Sequence, residues 1–361
     1  MEYTDSDGMD LDRRPIGEMS YYPSKSFLNL EKDYPILRPL YTDYESAYTA
    51  GPHLQWTINH YYLAPLASIL YLLVCYFGTK WMKNRQPYDL RQPLKFWNLF
   101  LSIFSFMGMI RVVPHLMEIL RRWGFEVSIC SPPVYTYGHG ACGLWIFLFI
   151  YSKYFELLDT VFIILRKRPL NFLHWYHHAT VLLYTWDGYC VEQPAGIYFV
   201  AMNYSVHAVM YFYYFLASQL QRPLSWGIFV TIAQISQMFV GVGVTCVSLY
   251  YSNVYRFSNT WKDHQFTDPM VYGQYINTRN LVYGLLMYST YFYLFAEYFV
   301  KRYVVKKKTP ASPTSSSSST STAPASEKNK DKKNNRGLYA SEKKIIEGEG
   351  GKAEMDIKKS Q

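Results

Sequence analysis

His174-Trp175-Tyr176-His177-His178 runs directly into the apolar stretch 179–186. Residues three and four apart share one face of a helix. His174, His177 and His178 can therefore converge on a single spot. A lipid-facing helix has little use for imidazole, and ionisable groups at membrane depth are costly and usually functional. Neutral imidazole is also a nucleophile and a general base near neutral pH. The stretch reads as a membrane helix that carries a reaction centre.

Working outward, apolar runs of roughly 20 residues can each cross a bilayer as a helix. The sequence predicts about seven, near residues 61–80, 96–113, 142–165, 172–186, 195–217, 224–250 and 280–300. This is an all-α polytopic membrane protein by its pattern. Half of the 361 residues are hydrophobic, and the 36 tyrosines suit interfaces and half-polar cores. The mean hydropathy of -0.11 averages these runs with two polar tails.

Residues 1–55 read as a polar N-terminal tail, 56–305 as the membrane domain and 306–361 as a disordered tail rich first in Ser, Thr and Pro, then in Lys. No basic-then-apolar signal peptide opens the chain, so the first apolar span is expected to act as its own insertion signal. Basic residues set orientation. They collect after the first span (Lys80, Lys83, Arg85, Arg91, Lys95), after the third (Arg166, Lys167, Arg168) and after the seventh (Lys301, Arg302, Lys306, Lys307, Lys308). This bias puts the C-terminus in the cytosol and the N-terminus in the lumen; Arg121 and Arg122 dissent. Lys358 and Lys359 stand third and fourth from the end. That fits a receptor-read di-lysine address for the endoplasmic reticulum. The net charge of +9 lies beside apolar segments and in the tail, which is not a nucleic-acid footprint. Five cysteines show no C-x-x-C pair, and a disulfide through Cys130 or Cys190 is left open.

Four polar clusters interrupt the spans. Lys153, Glu156, Asp159 and Thr160 share a helix face in the third, where a cation between two acids lowers the cost of burial. The histidine box opens the fourth. Asn203, His207, Tyr211 and Tyr214 make a polar stripe in the fifth, with Met210 and Tyr213 beside it. Thr231, Gln234 and Gln237 recur in the sixth, either joining helices or lining a polar section of a tunnel.

In this order the clusters resemble the very-long-chain fatty acid elongase (ELO) family. Its motifs K-x-x-E-x-x-D-T, H-x-x-H-H, N-x-x-H-x-x-M-Y-x-Y-Y and T-x-x-Q-x-x-Q match at every defining position. The resemblance covers roughly residues 55–305. It implies seven helices in the endoplasmic reticulum membrane, six of them a barrel of two inverted three-helix units around a tunnel. It implies condensation of long-chain acyl-CoA with malonyl-CoA to 3-oxoacyl-CoA, CoA and carbon dioxide, without a cofactor or metal. The partners it implies are membrane lipid and the 3-oxoacyl-CoA reductase, 3-hydroxyacyl-CoA dehydratase and enoyl-CoA reductase of the cycle; a homodimer is left open.

By position in the box, His177 is the expected nucleophile, with His174 and His178 orienting it or moving its proton. His207 and Asn203 would assist malonyl decarboxylation, and Glu156 and Asp159 would orient imidazoles. Lys153, Arg166, Lys167 and Arg168 would meet CoA phosphates. Tyr211, Tyr214, Gln234 and Gln237 would line the substrate path. The sequence around the box, with Trp175 inside it, is most similar to the branch acting on saturated and monounsaturated chains.

Two rivals remain open on residues alone. A di-iron oxygenase also uses H-x-x-H-H, but its two irons need several boxes, and here His53, His60, His115, His139 and His264 are scattered. A proton-coupled transporter would use buried Lys153, Glu156, Asp159 and histidines as a relay, but lacks a clear pair of Gly/Pro-broken helices.

Overall fold

The computed structural model describes residues 28–257 and 276–304. All regular structure among these residues is helical. The helices of eight or more residues are α1 (Ala50–Asn59), α2 (Leu63–Leu73), α3 (Arg91–Cys130), α4 (Gly140–Glu156), α5 (Leu158–Leu165), α6 (Phe172–Cys190), α7 (Gly196–Leu220), α8 (Gly227–Phe257) and α9 (Thr278–Phe299). The expected apolar runs lie largely on α3, α6, α7, α8 and α9, for 142–165 on α4 and α5 together, and for 61–80 on α2 continued by a π-helical turn at Val74–Gly78 and a short helix at Thr79–Met82. A one-residue break at Leu157 separates that pair.

Among the described residues, three stretches are long and apolar enough to cross a membrane: Leu63–Met82, Arg91–Cys130 and Gly227–Val254. The other four expected spans are helical too: in the 142–165 run α4 ends after 17 residues, and the polar residues and tyrosines of α6, α7 and α9 lower the hydropathy of those helices.

α3 packs along α7 and against α4, α4 on α6, α6 on α9, α9 on α8, and α8 on α7, while α2 lies against α6. Gly108 allows the closest of these approaches. A Cβ there would fall 2.3–2.5 Å from the ring of Tyr204, which is buried and donates its hydroxyl to the Trp145 carbonyl at 2.8 Å. α3 runs well past the expected end at residue 113 and changes direction at Gly124, whose φ of 80° lies in the left-handed region open to glycine.

Residues 28–55, expected as part of a polar tail, fold into short helical turns against α3 and α4 from Leu28 onward. Glu45 accepts from Arg111 at 2.9 Å and from Trp145 at 2.7 Å. Burial alone would raise its carboxyl, but hydrogen bonds from Arg111, the Thr42 backbone and Trp145 outweigh that and hold it below the usual carboxylate range. Tyr34 donates to Glu118 at 2.9 Å. Arg121 and Arg122, which dissented from the charge bias, are paired with Glu118, and Arg122 also with Asp33. They are not free positive charge. All five cysteines are unpaired, including Cys130 and Cys190. The C-terminal tail, with Lys358 and Lys359, and residues 1–27 lie outside the described residues.

Candidate active site

Asn171 starts α6 by accepting the His174 backbone N–H at 2.8 Å, which replaces one missing helical partner. The helical register then sets the box. The His174 and His178 rings lie 4.5 Å apart between centroids, and His177 meets His178 edge-on at 5.4 Å. The three imidazoles do converge, as their spacing predicts.

Each ring has a distinct neighbourhood. His174 Nε2 lies 2.9 Å from Thr160 Oγ1, whose own partner is the Tyr71 hydroxyl at 2.8 Å. His177 stacks obliquely on Tyr291 of α9 at 4.9 Å, and the Tyr291 hydroxyl donates to the His177 carbonyl at 3.2 Å. That contact ties the box to a helix more than a hundred residues later. No pattern around Tyr291 singles it out from the other tyrosines, so the sequence did not reveal it.

A buried polar chain lies opposite. Lys153 donates to Glu156 Oε1 at 2.6 Å and to Asn203 Oδ1 at 3.1 Å. Asn203 Nδ2 lies 3.2 Å from His207 Nε2. Lys153 is only 2% exposed. It is expected from sequence to meet CoA; in the structure its charge is paired with Glu156 inside the protein.

Asp159 and Glu156 do not touch imidazoles either. Asp159 accepts from Trp97 Nε1 at 2.6 Å and from the Tyr211 hydroxyl at 2.7 Å. Glu156 Oε1 is held by Lys153 and by Ser152, at 2.6 and 3.2 Å. Their influence on the histidines passes through neighbours: Tyr211 meets His207 edge-on at 5.4 Å, and Lys153 reaches His207 through Asn203. Leu157 keeps a right-handed helical backbone between Glu156 and Asp159, and Asp159 reaches Trp97 of α3 and Tyr211 of α7.

His174, His177, His178, Asn203 and His207 line one cavity of about 660 Å³. Asp159, Tyr211, Tyr214, Gln234 and Gln237 line it too, and Gln234 Nε2 lies 3.2 Å from Met210 Sδ. The lining also includes Arg166, Arg168 and Arg302. Lys167 is absent from this lining. Its ammonium donates to the carbonyls of Lys83 and Arg85 at 2.9 and 3.0 Å, so it pins a turn rather than facing the cavity. Arg302, from the π-helical turn after α9, lines the cavity; it was visible in sequence as a basic residue at a helix end but not as a lining residue.

Among the described residues no group of three or more His, Cys, Asp or Glu side chains is arranged to hold a metal ion. The arrangement gathers three imidazoles of one helix, a fourth beside an amide, and three arginines round one cavity.

Comparison with known proteins agrees. Residues 56–311 match the family described as ELO: GNS1/SUR4 family. The chain is 39% identical over 250 residues to very long chain fatty acid elongase 6 of Drosophila melanogaster, covering 69% of this chain and 73% of that protein. It is 38% identical over 266 residues to the protein of the same name from Gallus gallus, covering 73% and 93%. Very long chain fatty acid elongase 3 of Homo sapiens is 38% identical over 246 residues, covering 67% and 84%. With the family match spanning most of its length and its four polar clusters gathered round one cavity or supporting it, this chain belongs to the ELO family.

Proposed function

We propose that this chain is a 3-oxoacyl-CoA synthase of fatty acid elongation, condensing a long-chain acyl-CoA with malonyl-CoA in the endoplasmic reticulum membrane. The observation that carries the reading is that His177 and His207, from different helices, line one cavity together with Arg166 and Arg168. The neighbour order of α3, α4, α6, α9, α8 and α7 supports a six-helix ring around that cavity, with α2 outside as a seventh span. The basic residues of its lining support a cytosolic opening and a cytosolic C-terminus.

In this mechanism an imidazole nitrogen of His177 attacks the thioester carbonyl, and the CoA thiolate leaves and takes up a proton. The acyl group rests on His177 as an acyl-imidazole, which splits one difficult transfer into two easier steps. His174, held by Thr160, and His178 orient the ring and receive its proton. Malonyl-CoA then loses carbon dioxide. The carbon of the resulting enolate attacks the acyl carbonyl, and His177 departs as the leaving group. Asn203 donates to His207 Nε2, which leaves the Nδ1–H of His207 to steady the enolate oxygen. Arg166, Arg168 and Arg302 meet the CoA phosphates. The box with Trp175 supports saturated and monounsaturated chains as substrates. The product requires reduction, dehydration and a second reduction, so the partners are the reductase, dehydratase and enoyl reductase of the cycle; a homodimer is compatible with this arrangement.

The test is intact-mass and product analysis of purified protein given acyl-CoAs of graded length. An acyl-sized mass gain without malonyl-CoA, absent from His177→Ala, and 3-oxoacyl-CoA once malonyl-CoA is added are expected. Near-normal turnover by His177→Ala would reject the acyl-imidazole.

A further inference from the structure

A second, smaller chamber of about 70 Å³ is lined by none of the box histidines. Its lining is drawn from α1, the turn at 133–138, α4, α6, the α6–α7 turn, α7 and the start of α9. Gly188, on its wall, follows His177 by eleven residues of α6, which is about 16 Å along the axis. Phe149, Ile150, Phe199 and Val200 make much of the wall apolar.

The polar residues of the lining include Glu192, Thr185, three tyrosines and two amides. Asn280 and Gln193 are 0% and 3% exposed and both line the chamber. Each has one half of its amide committed. Asn280 Nδ2 donates to Asp187 Oδ2 at 2.9 Å, and Gln193 Oε1 accepts from the Asn277 backbone N–H at 3.1 Å. Asp187 is itself fixed by Tyr61 at 2.7 Å and Arg279 at 2.9 Å. Rotating Asn280 would set its oxygen against the Asp187 carboxylate, and rotating Gln193 would set its NH2 against an N–H. Both orientations are therefore determined by the network.

The free halves are an acceptor and a donor. Asn280 Oδ1 and Gln193 Nε2 have no hydrogen-bond partner among the described residues. Gly188 leaves the approach to Asn280 open: a Cβ there would lie 3.6 Å from Asn280 Oδ1. A lining meant only for a terminal methyl group gains nothing from buried, fixed, unpartnered amide atoms, which carry a desolvation penalty. A hydroxyl has the chemistry to answer such a pair, since it can donate to an oxygen such as Asn280 Oδ1 and accept from a nitrogen such as Gln193 Nε2.

We propose that this chamber receives the distal end of the acyl chain, and that Asn280 and Gln193 recognise a hydroxyl carried there. The preferred substrates are then acyl-CoAs hydroxylated at or next to the far end, at the length that brings the hydroxyl to this pair. The inference rests on the acyl-CoA reading above. A bound water is the other source of the same hydroxyl chemistry, and substrate preference separates the two.

The experiment compares kcat/KM of the purified full chain for unsubstituted acyl-CoAs and for their terminal and penultimate hydroxylated counterparts, over graded lengths with malonyl-CoA. At one length the hydroxylated chain should be preferred by about tenfold or more, because its unsubstituted counterpart leaves the amides unpartnered. Gln193→Glu keeps the oxygen that meets Asn277 and removes the donor. Gly188→Ala places a methyl at ordinary contact distance from the Asn280 amide. Both should still elongate shorter unsubstituted chains, and both should lose the hydroxyl preference. Unsubstituted chains elongated well and hydroxylated chains equally or less well at every length would overturn the inference while leaving the condensation intact, and would assign the amide pair to a water. A preference unchanged in both variants would also overturn it. No condensation with any chain would remove the proposed function and this inference together.

Discussion

Nδ2 of Asn203 lies 3.2 Å from Nε2 of His207, one turn further along the same helix. The Lys153 ammonium holds the Asn203 carbonyl oxygen, so the amide nitrogen is the group turned to the imidazole. An amide nitrogen only donates; His207 Nε2 must therefore accept, and the ring proton sits on Nδ1. A lysine on α4 thus selects the tautomer of a histidine on α7 without touching it.

Asn203→Asp should uncouple the two half-reactions. The carboxylate can still receive Lys153 but has no donor for His207. Acyl-enzyme formation at His177 should persist, while 3-oxoacyl-CoA formation falls about 100-fold, within the usual range for a positioned acid–base group. Intact mass without malonyl-CoA and product release with it read the two steps separately.

Lys153→Met should cost stability before it costs chemistry. It strands the Glu156 carboxylate in a buried site, a loss of about 3–5 kcal/mol for a broken buried pair. The double change Lys153→Met with Glu156→Gln should recover much of that. Thermal unfolding of both variants in the same detergent decides it; equal melting of single and double variants would count against a buried charge pair.

The two neighbouring basic residues after α5 should behave differently. Arg168→Ala removes a cavity-lining charge and should raise KM for acyl-CoA about fivefold, the scale of an exposed ion pair, with a weaker dependence on salt. Lys167→Ala should leave KM unchanged, because that ammonium is spent on the Lys83 and Arg85 carbonyls. Steady-state kinetics at two ionic strengths distinguish them.

Glu45→Gln should loosen the N-terminal turns. Arg111, buried beside it, would lose its counter-charge, at about 3–5 kcal/mol. The folded carboxyl titrates below its unfolded value, so its contribution is complete above the unfolded pKa and is lost as pH falls through the lowered folded one. The gap in melting temperature between the parent chain and Glu45→Gln should therefore narrow in acid and stay constant near neutrality.

Gly108→Ala should separate α3 from α7. The new methyl would meet the Tyr204 ring well inside contact distance, and overpacking of this kind costs about 1–3 kcal/mol. Gly243→Ala is the control, since nothing lies within 4 Å of its added Cβ. The difference in melting temperature between the two variants reads the close approach.

The sequence by itself determined the helical class, the places of the long helices and the meeting of His174, His177 and His178. All are local properties: apolar run length decides which segments are helical at membrane depth, and the 3.6-residue repeat decides which side chains share a face. Family motifs also marked the four polar clusters. Only the tertiary structure decided how those clusters divide their work. Lys153 and Asp159 share a motif six residues apart, yet one meets Asn203 and the other Trp97 and Tyr211. Lys167 and Arg168 are adjacent, yet one pins a turn and the other lines the cavity. Tyr291 reaches His177 from the last helix, and the turns before Ala50 lock onto Arg111. These pairings depend on which helix packs beside which. That is settled by close approaches such as Gly108 on Tyr204, and by the need of each buried polar group for a partner that sequence spacing does not name.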